Sequence, residues 1–267
     1  MKKNIVITLG VTVTILLVAF GMSMLNKEAT NRTENKNQEV TQKKSSTAER
    51  MKDREEIKDP INSKYQSVAV IQIDLNNAID RGTGFIVGKN ALLTNKHVSD
   101  SFNEGKKLTV RLKNENGEFT DFKVKNVIPA PDNKDLAIPV STDLAIVEVE
   151  PTDDGKNISD NIDMLEFATL EEINKVKTGS SIYVVGYPGD KEYGTLWKSK
   201  GKMLEVGPYS ATYDAFISGG NSGSPLLNEE NKIIGLVNAS TDENDDEYVG
   251  YGFLLNEDLL KFIKSNI

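Results

Sequence analysis

From Tyr65 onward the chain is a series of short runs rich in β-branched and aromatic residues, and this limits its fold more than any other feature. The runs are Ser67–Leu75, Gly82–Val87, Leu108–Leu112, Phe122–Val127, Leu144–Val149, Ile182–Val185, Ile233–Val237 and Tyr248–Leu255. Gly, Asn, Asp and Pro separate them. Many short strands with turn signals between them predict an all-β sandwich or barrel architecture, not a parallel sheet with crossover helices. One exception closes the chain. Over Asn256–Asn266 the positions of Leu259, Leu260 and Ile263 fall at helical spacing, with Asn256 or Glu257 as the start. No internal repeat stands out.

The N-terminal quarter differs in kind. Lys2 and Lys3 precede a nearly unbroken apolar run from Ile5 to Leu25. A basic flank before such a run reads as an export signal, with the lysines kept inside. The run is near the ~20 residues that span a bilayer, so residues 1–25 are a signal peptide or a membrane anchor. Small residues around Gly21 and Ser23 would permit cleavage. Residues 26–65 are dominated by Lys, Glu, Asn, Thr and Gln and hold no aromatic residue before Tyr65. Such a stretch buries too little surface to offset its ordering entropy. It is expected to be a disordered tether or a removable pro-segment. Residues 66–267 then form the folded part, enough for one large domain or two small fused ones.

Charge and residue counts exclude several functions. The net charge is -8, and no basic stripe with interleaved aromatics is present. Nucleic-acid binding is therefore set aside. There is no cysteine, which removes thiol catalysis, disulfides and cysteine metal sites. The single histidine, His97, speaks against a histidine-based zinc centre. No metal or cofactor is expected.

The motif with the most chemical content is Gly219-Gly220-Asn221-Ser222-Gly223-Ser224-Pro225. A serine hydroxyl needs a neighbouring base to act as a nucleophile, and backbone N–H groups aimed at the developing oxyanion. The flanking glycines let the Gly220 and Ser222 N–H groups point the same way and leave room for substrate. The base has to be His97, the only imidazole in the chain. A carboxylate must hold that imidazole in one tautomer and stabilise its cation. Asp135 and Asp143 share the local pattern Asp-Leu-Ala-Ile. Asp143 opens an alternating strand, whereas Asp135 is followed by Pro139, which would break a central strand. Asp143 is the better candidate.

Taken together, these motifs resemble the chymotrypsin-like serine proteases, and within them the glutamyl endopeptidases and exfoliative toxins of Gram-positive bacteria. The likeness rests on Val87-Gly88-Lys89 with Leu92–Val98, on Gly186-Tyr187-Pro188-Gly189-Asp190-Lys191, on Trp197–Lys202, on the Gly219–Pro225 loop, and on Asn256-Glu257 before a terminal helix. The resemblance implies two six-stranded antiparallel β-barrels, at about 66–150 and about 176–255. It implies peptide-bond hydrolysis through an acyl-enzyme, with Ser222 as nucleophile, His97 as base and Asp143 orienting it. Gly220 and Ser222 would supply the oxyanion hole. Protein or peptide would be the substrate, the enzyme would act as a monomer, and it would work outside the cell. It would be secreted, or tethered to the outer face of the membrane through residues 5–25.

Substrate choice does not follow from the resemblance. Glutamyl endopeptidases hold the glutamate carboxylate with a threonine five residues before the nucleophile and a histidine fifteen residues after it. Ile217 and Val237 occupy those places here. Desolvating a carboxylate against two aliphatic groups costs several kcal/mol. The position of the aspartate that floors trypsin-like pockets is Phe216. The expectation is an apolar specificity pocket formed by Phe216, Ile217 and Val237. The acidic stretch Asp242–Glu247 reads as a solvated hairpin tip or an attractor for basic substrate residues. The main competing reading is a protease-fold binding module without catalysis, or a toxin with a very narrow target.

Overall fold

Strand β2 (Val68–Asp74) illustrates how the aliphatic runs are used. Val68 and Val70 pack in one hydrophobic cluster, while Ala69, Ile71 and Ile73 pack in another. Successive side chains of a strand point to opposite faces, so this strand is buried on both sides. The same division separates Phe85 from Ile86, Leu93 from Leu92, and Ile146 from Val147. One cluster fills the interior of a barrel. The other lies outside it, continuous with the core of a second barrel. A computed structural model describes residues 51–75, 78–131, 143–208, 210–241 and 248–267. The apolar run at 5–25, the polar segment up to residue 50, Asp135 and the loop Asp242–Glu247 lie outside the described residues.

The first barrel is built from β2, β3 (Ile79–Gly88), β4 (Ala91–Thr94), β5 (Leu108–Lys113), β6 (Phe119–Pro129) and β7 (Ala145–Val149). These close in the order β2-β3-β4-β7-β6-β5. The second uses β8 (Ser181–Gly186), β9 (Leu196–Val206), β10 (Ala211–Tyr213), β11 (Pro225–Leu227), β12 (Ile233–Ser240) and β13 (Gly250–Leu254). Its order is β8-β9-β10-β13-β12-β11, and β11 pairs back onto β8. Among the described residues every pairing between the strands of the two barrels is antiparallel. The expected pair of six-stranded barrels is therefore the architecture of this chain. Helix α1 (Lys96–Asn103) follows β4, α2 (Leu170–Asn174) joins the barrels, and α3 (Glu257–Ser265) ends the chain. Asn256 caps α3 as expected, its side chain accepting from Leu259 N–H at 2.9 Å. Among the described residues no helix is long and apolar enough to cross a membrane.

The boundary expected near residue 65 needs correction. Residues 54–57 form a further strand, β1 (Arg54–Ile57), antiparallel to β9 with Arg54 opposite Ser199 and Ile57 opposite Leu196. It runs along the same edge of β9 that pairs with β10 further on. Tyr65, also inside the segment expected to be loose, is buried and donates its hydroxyl to Asn231 Oδ1 at 2.6 Å. The composition argument fails at this point because the segment needs no core of its own. It takes its hydrogen bonds from an available strand edge.

Candidate active site

His97 and Asp143 are brought together by strand register. β4 and β7 are hydrogen-bonded neighbours whose pairing ends at Thr94 opposite Ala145. His97 lies just past the end of β4 and Asp143 just before β7. His97 Nδ1 is 2.7 Å from Asp143 Oδ2, and His97 N–H donates to Asp143 Oδ1 at 3.0 Å. Both carboxylate oxygens therefore face the histidine. With Nδ1–H given to the carboxylate, the lone pair is on Nε2. The imidazole is exposed, with 42% of its side chain open to solvent.

Two asparagines hold this pair, and the motifs above did not single out either. Asn95 is fully buried and donates its Nδ2 to the Asp143 carbonyl at 2.9 Å. It stands at the N-cap of α1 yet makes no side-chain cap, because its amide is turned toward Asp143 instead. Asn238 donates Nδ2 to Asp143 Oδ2 at 2.8 Å. It sits where β12 shifts register against β13, between Val237 and Ala239. Such a bulge re-aims a side chain, here toward the carboxylate. The one available signal for Asn238 was a polar residue directly after the aliphatic run Ile233–Val237.

Ser222 comes from the other barrel, in the connection between β10 and β11. It is half-buried, and its hydroxyl donates to the Asn238 carbonyl at 3.1 Å. Ser222 and Asp143 thus meet the same residue. A hydroxyl has one proton, so giving it to a base requires Ser222 to turn away from Asn238. The preceding residues form a turn: Asn221 N–H donates to Ser218 O at 3.0 Å, and Gly220 has φ +94°. A positive φ at the third position of such a turn calls for glycine. A side chain on Gly220 would also meet the Tyr187 carbonyl at 2.5 Å. The Gly219 carbonyl accepts from Gly189 N–H. Because a trans peptide sets its N–H opposite its C=O, the Gly220 N–H points away from Gly189. Among the described residues, neither the Gly220 nor the Ser222 N–H has a protein acceptor.

Thr83 on β3 anchors this loop to the first barrel. Its N–H donates to the Ser222 carbonyl at 2.9 Å. Its hydroxyl donates to the Gly220 carbonyl at 2.8 Å and accepts from Tyr187 N–H at 3.1 Å. Thr94 donates in turn to the Thr83 carbonyl at 2.8 Å.

The three residues expected to form the specificity pocket are all buried: Phe216 and Val237 at 0% exposure and Ile217 at 2%. Phe216 stacks on Tyr248 at 4.9 Å. The Tyr248 hydroxyl bridges the Ile217 N–H and carbonyl, at 2.8 Å each. Val237 accepts from Gly223 N–H at 3.0 Å, which places it beneath the loop. On the other side, Asp190 accepts the Ser218 hydroxyl at 2.6 Å and two bonds from Arg54, at 2.7 and 3.0 Å. Burial pushes the Asp190 carboxyl up, but these hydrogen bonds and the Arg54 and Lys191 charges outweigh it and hold it down at about 2.

Comparison with known proteins fits this geometry. The trypsin-like peptidase domain matches residues 82–236. A glutamyl endopeptidase of Staphylococcus epidermidis is 32% identical over 210 residues, covering 76% of this chain and 68% of the relative. The chain belongs to the trypsin-like peptidase family. It is a serine endopeptidase. The fold agrees: a Glu endopeptidase solved in complex with MPD superimposes with a TM-score of 0.64 at 20% identity, over 79% of this chain and 95% of that one. The protease Anisep of Arthrobacter nicotinovorans gives 0.57 at 16% identity, over 75% and 94%. As a peptidase, the chain has its three candidate catalytic side chains on two barrels, with Asn238 between them.

Proposed function

We propose that this peptidase cleaves peptide bonds through an acyl-enzyme on Ser222. The observation that carries the reading is the two-point contact between His97 and Asp143, which leaves Nε2 as the free base of an exposed imidazole. Ser222 Oγ attacks the scissile carbonyl as His97 Nε2 takes its proton. The developing oxyanion is received by the Gly220 and Ser222 N–H groups, both free of protein acceptors among the described residues. The imidazolium, held against Asp143, then gives its proton to the leaving amine as the C–N bond breaks. Water attacks the ester with His97 again as base, and Ser222 is restored.

The residue before the scissile bond is proposed to be uncharged. Phe216, Ile217 and Val237 offer only apolar side chains under the nucleophile. Arg54 lies 5.0 Å over the Phe216 ring but is already bound at both terminal nitrogens by Asp190. A substrate glutamate would have to compete with that pair. The apolar run after Lys2 and Lys3, read as an export signal, supports an activity outside the cell, on proteins or peptides there, either in solution or at the membrane surface.

A diverse peptide library incubated with the full chain tests both points, with Ser222→Ala as control. Cleavage after uncharged residues, absent from the variant, is the expected result. A Glu or Lys/Arg preference would refute the apolar pocket. Cleavage that survives in Ser222→Ala would refute the nucleophile.

A further inference from the structure

The polar stretch before Tyr65 places one of its arginines in the interior. Arg54 has 1% of its side chain exposed. Its guanidinium makes a two-point pair with Asp190 and lies 5.7 Å from the Trp197 ring centroid and 5.0 Å from that of Phe216. Its Nε is buried without a hydrogen-bond partner. Burying a charge is costly, and replacing a buried ion pair with apolar side chains is often neutral or stabilising. Stability alone is therefore a weak reason for this arrangement. Its position suggests another reason.

The contacts run from Arg54 directly to the nucleophile loop. Asp190 Oδ1 accepts from both Arg54 Nη2 and the Ser218 hydroxyl. Ser218 N–H donates to Asn221 Oδ1 at 3.1 Å, and Asn221 N–H returns to Ser218 O at 3.0 Å. The next residue is Ser222. Beside Asp190, Gly189 N–H holds the Gly219 carbonyl and so sets the peptide that carries the Gly220 N–H. Arg54 therefore supports the loop at two places, through Asp190 and through the Phe216 ring. The two terminal nitrogens reach both carboxylate oxygens, while the guanidinium carbon lies over two aromatic rings. A lysine can reproduce neither contact geometry.

We propose that Arg54 is a positioning residue for the oxyanion-binding turn Ser218–Asn221, so that strand β1 is a working part of the peptidase and not a disposable leader. This rests on the reading of Ser222 as nucleophile. It follows that any maturation cut must fall before Arg54, because a cut after it would remove the support along with the segment.

The test is the rate at which an uncharged fluorophosphonate phosphonylates Ser222 in the full chain, with fluoride as the leaving group, measured beside the melting temperature. Arg54→Ala and Asp190→Asn are each expected to slow phosphonylation by about 10–100-fold. The double variant should be no slower than the worse single one, because both changes break the same link. Arg54→Lys should stay slow, while added ethylguanidinium should speed up Arg54→Ala but not Asp190→Asn. Ser218→Ala leaves the ion pair intact and should also slow phosphonylation; it decides the matter if Arg54→Ala does not fold. Phosphonylation of Arg54→Ala or Ser218→Ala within twofold of wild type, whatever the melting temperature, would overturn the inference while leaving the nucleophile in place. A wild-type chain that is not labelled at Ser222 would instead overturn the nucleophile reading, and this inference with it.

Discussion

The two barrels repeat one strand order, β2-β3-β4-β7-β6-β5 and β8-β9-β10-β13-β12-β11, yet they support their candidate catalytic groups in opposite ways. The first barrel carries His97 and Asp143 at the ends of two directly paired strands, so the same register that closes the barrel also sets their distance. The second carries Ser222 in a long connection between β10 and β11, outside any ladder. That connection is fixed by groups from elsewhere: Thr83 of the first barrel, the loop Gly186–Lys191, and Arg54 of the N-terminal strand. The proposed base is held by topology and the proposed nucleophile by side chains. Substitutions at the first site should act on the chemistry, and those around the second on geometry.

Removing the reacting groups has the largest expected effect. Ser222→Ala and His97→Ala should each abolish turnover by about 10⁶-fold, and combining them should cost little more, because the groups act as a unit. Unchanged melting curves would confirm that only the chemistry was lost. Next comes Asp143→Asn, with a loss of about 10⁴-fold from holding the wrong imidazole tautomer. A larger loss from Asp135→Asn would mean that the carboxylate assignment is wrong.

Thr83→Val sharpens the contrast between the barrels, since it alters the first to disturb the second. It leaves the Gly220 carbonyl and the Tyr187 N–H unpaired at a buried site. The expected cost is about 1–3 kcal/mol of stability and a ~10–100-fold slower acylation, measured by denaturant melts and single-turnover kinetics. Equal activity with lower stability would confine Thr83 to a structural role.

Acid should produce the smallest effect. The Asp190 carboxyl lies at about 2 when folded, below its ordinary 3.8. Its ion pair is therefore fully stabilising above about pH 4, and that contribution is lost as pH falls through the folded value near 2. Stability measured across this window should fall less steeply in Arg54→Ala than in wild type. Parallel curves would show that the pair does not set the titration of Asp190.

The comparison also explains what the sequence could reveal. Strands buried on both faces, such as β2 and β7, announce themselves as aliphatic runs. Strand β9 does not: Lys198, Lys200 and Lys202 alternate with inward residues and Gly201 interrupts it. Strand β1, Arg-Glu-Glu-Ile, has no strand signal, because its partner edge and its ion pair come from far along the chain. His97, Asp143 and Ser222 could be proposed from the sequence because the proposed chemistry demands those residue types. Asn95, Asn238 and Thr83 could not, since an asparagine or threonine acquires such a role only through a bulge, a buried position or a neighbouring barrel. Phe216, Ile217 and Val237, the residues proposed for the pocket, are apolar in the sequence, but their burial beneath the loop depends on packing such as that of Tyr248 and Arg54 against Phe216.

The most direct test of the account is to treat the full chain with a fluorophosphonate and map the adduct by peptide mass, with His97→Ala alongside. One adduct is expected, on Ser222, forming rapidly in wild type and nearly absent in His97→Ala. An adduct on another residue, or labelling of Ser222 that does not depend on His97, would contradict the proposed mechanism.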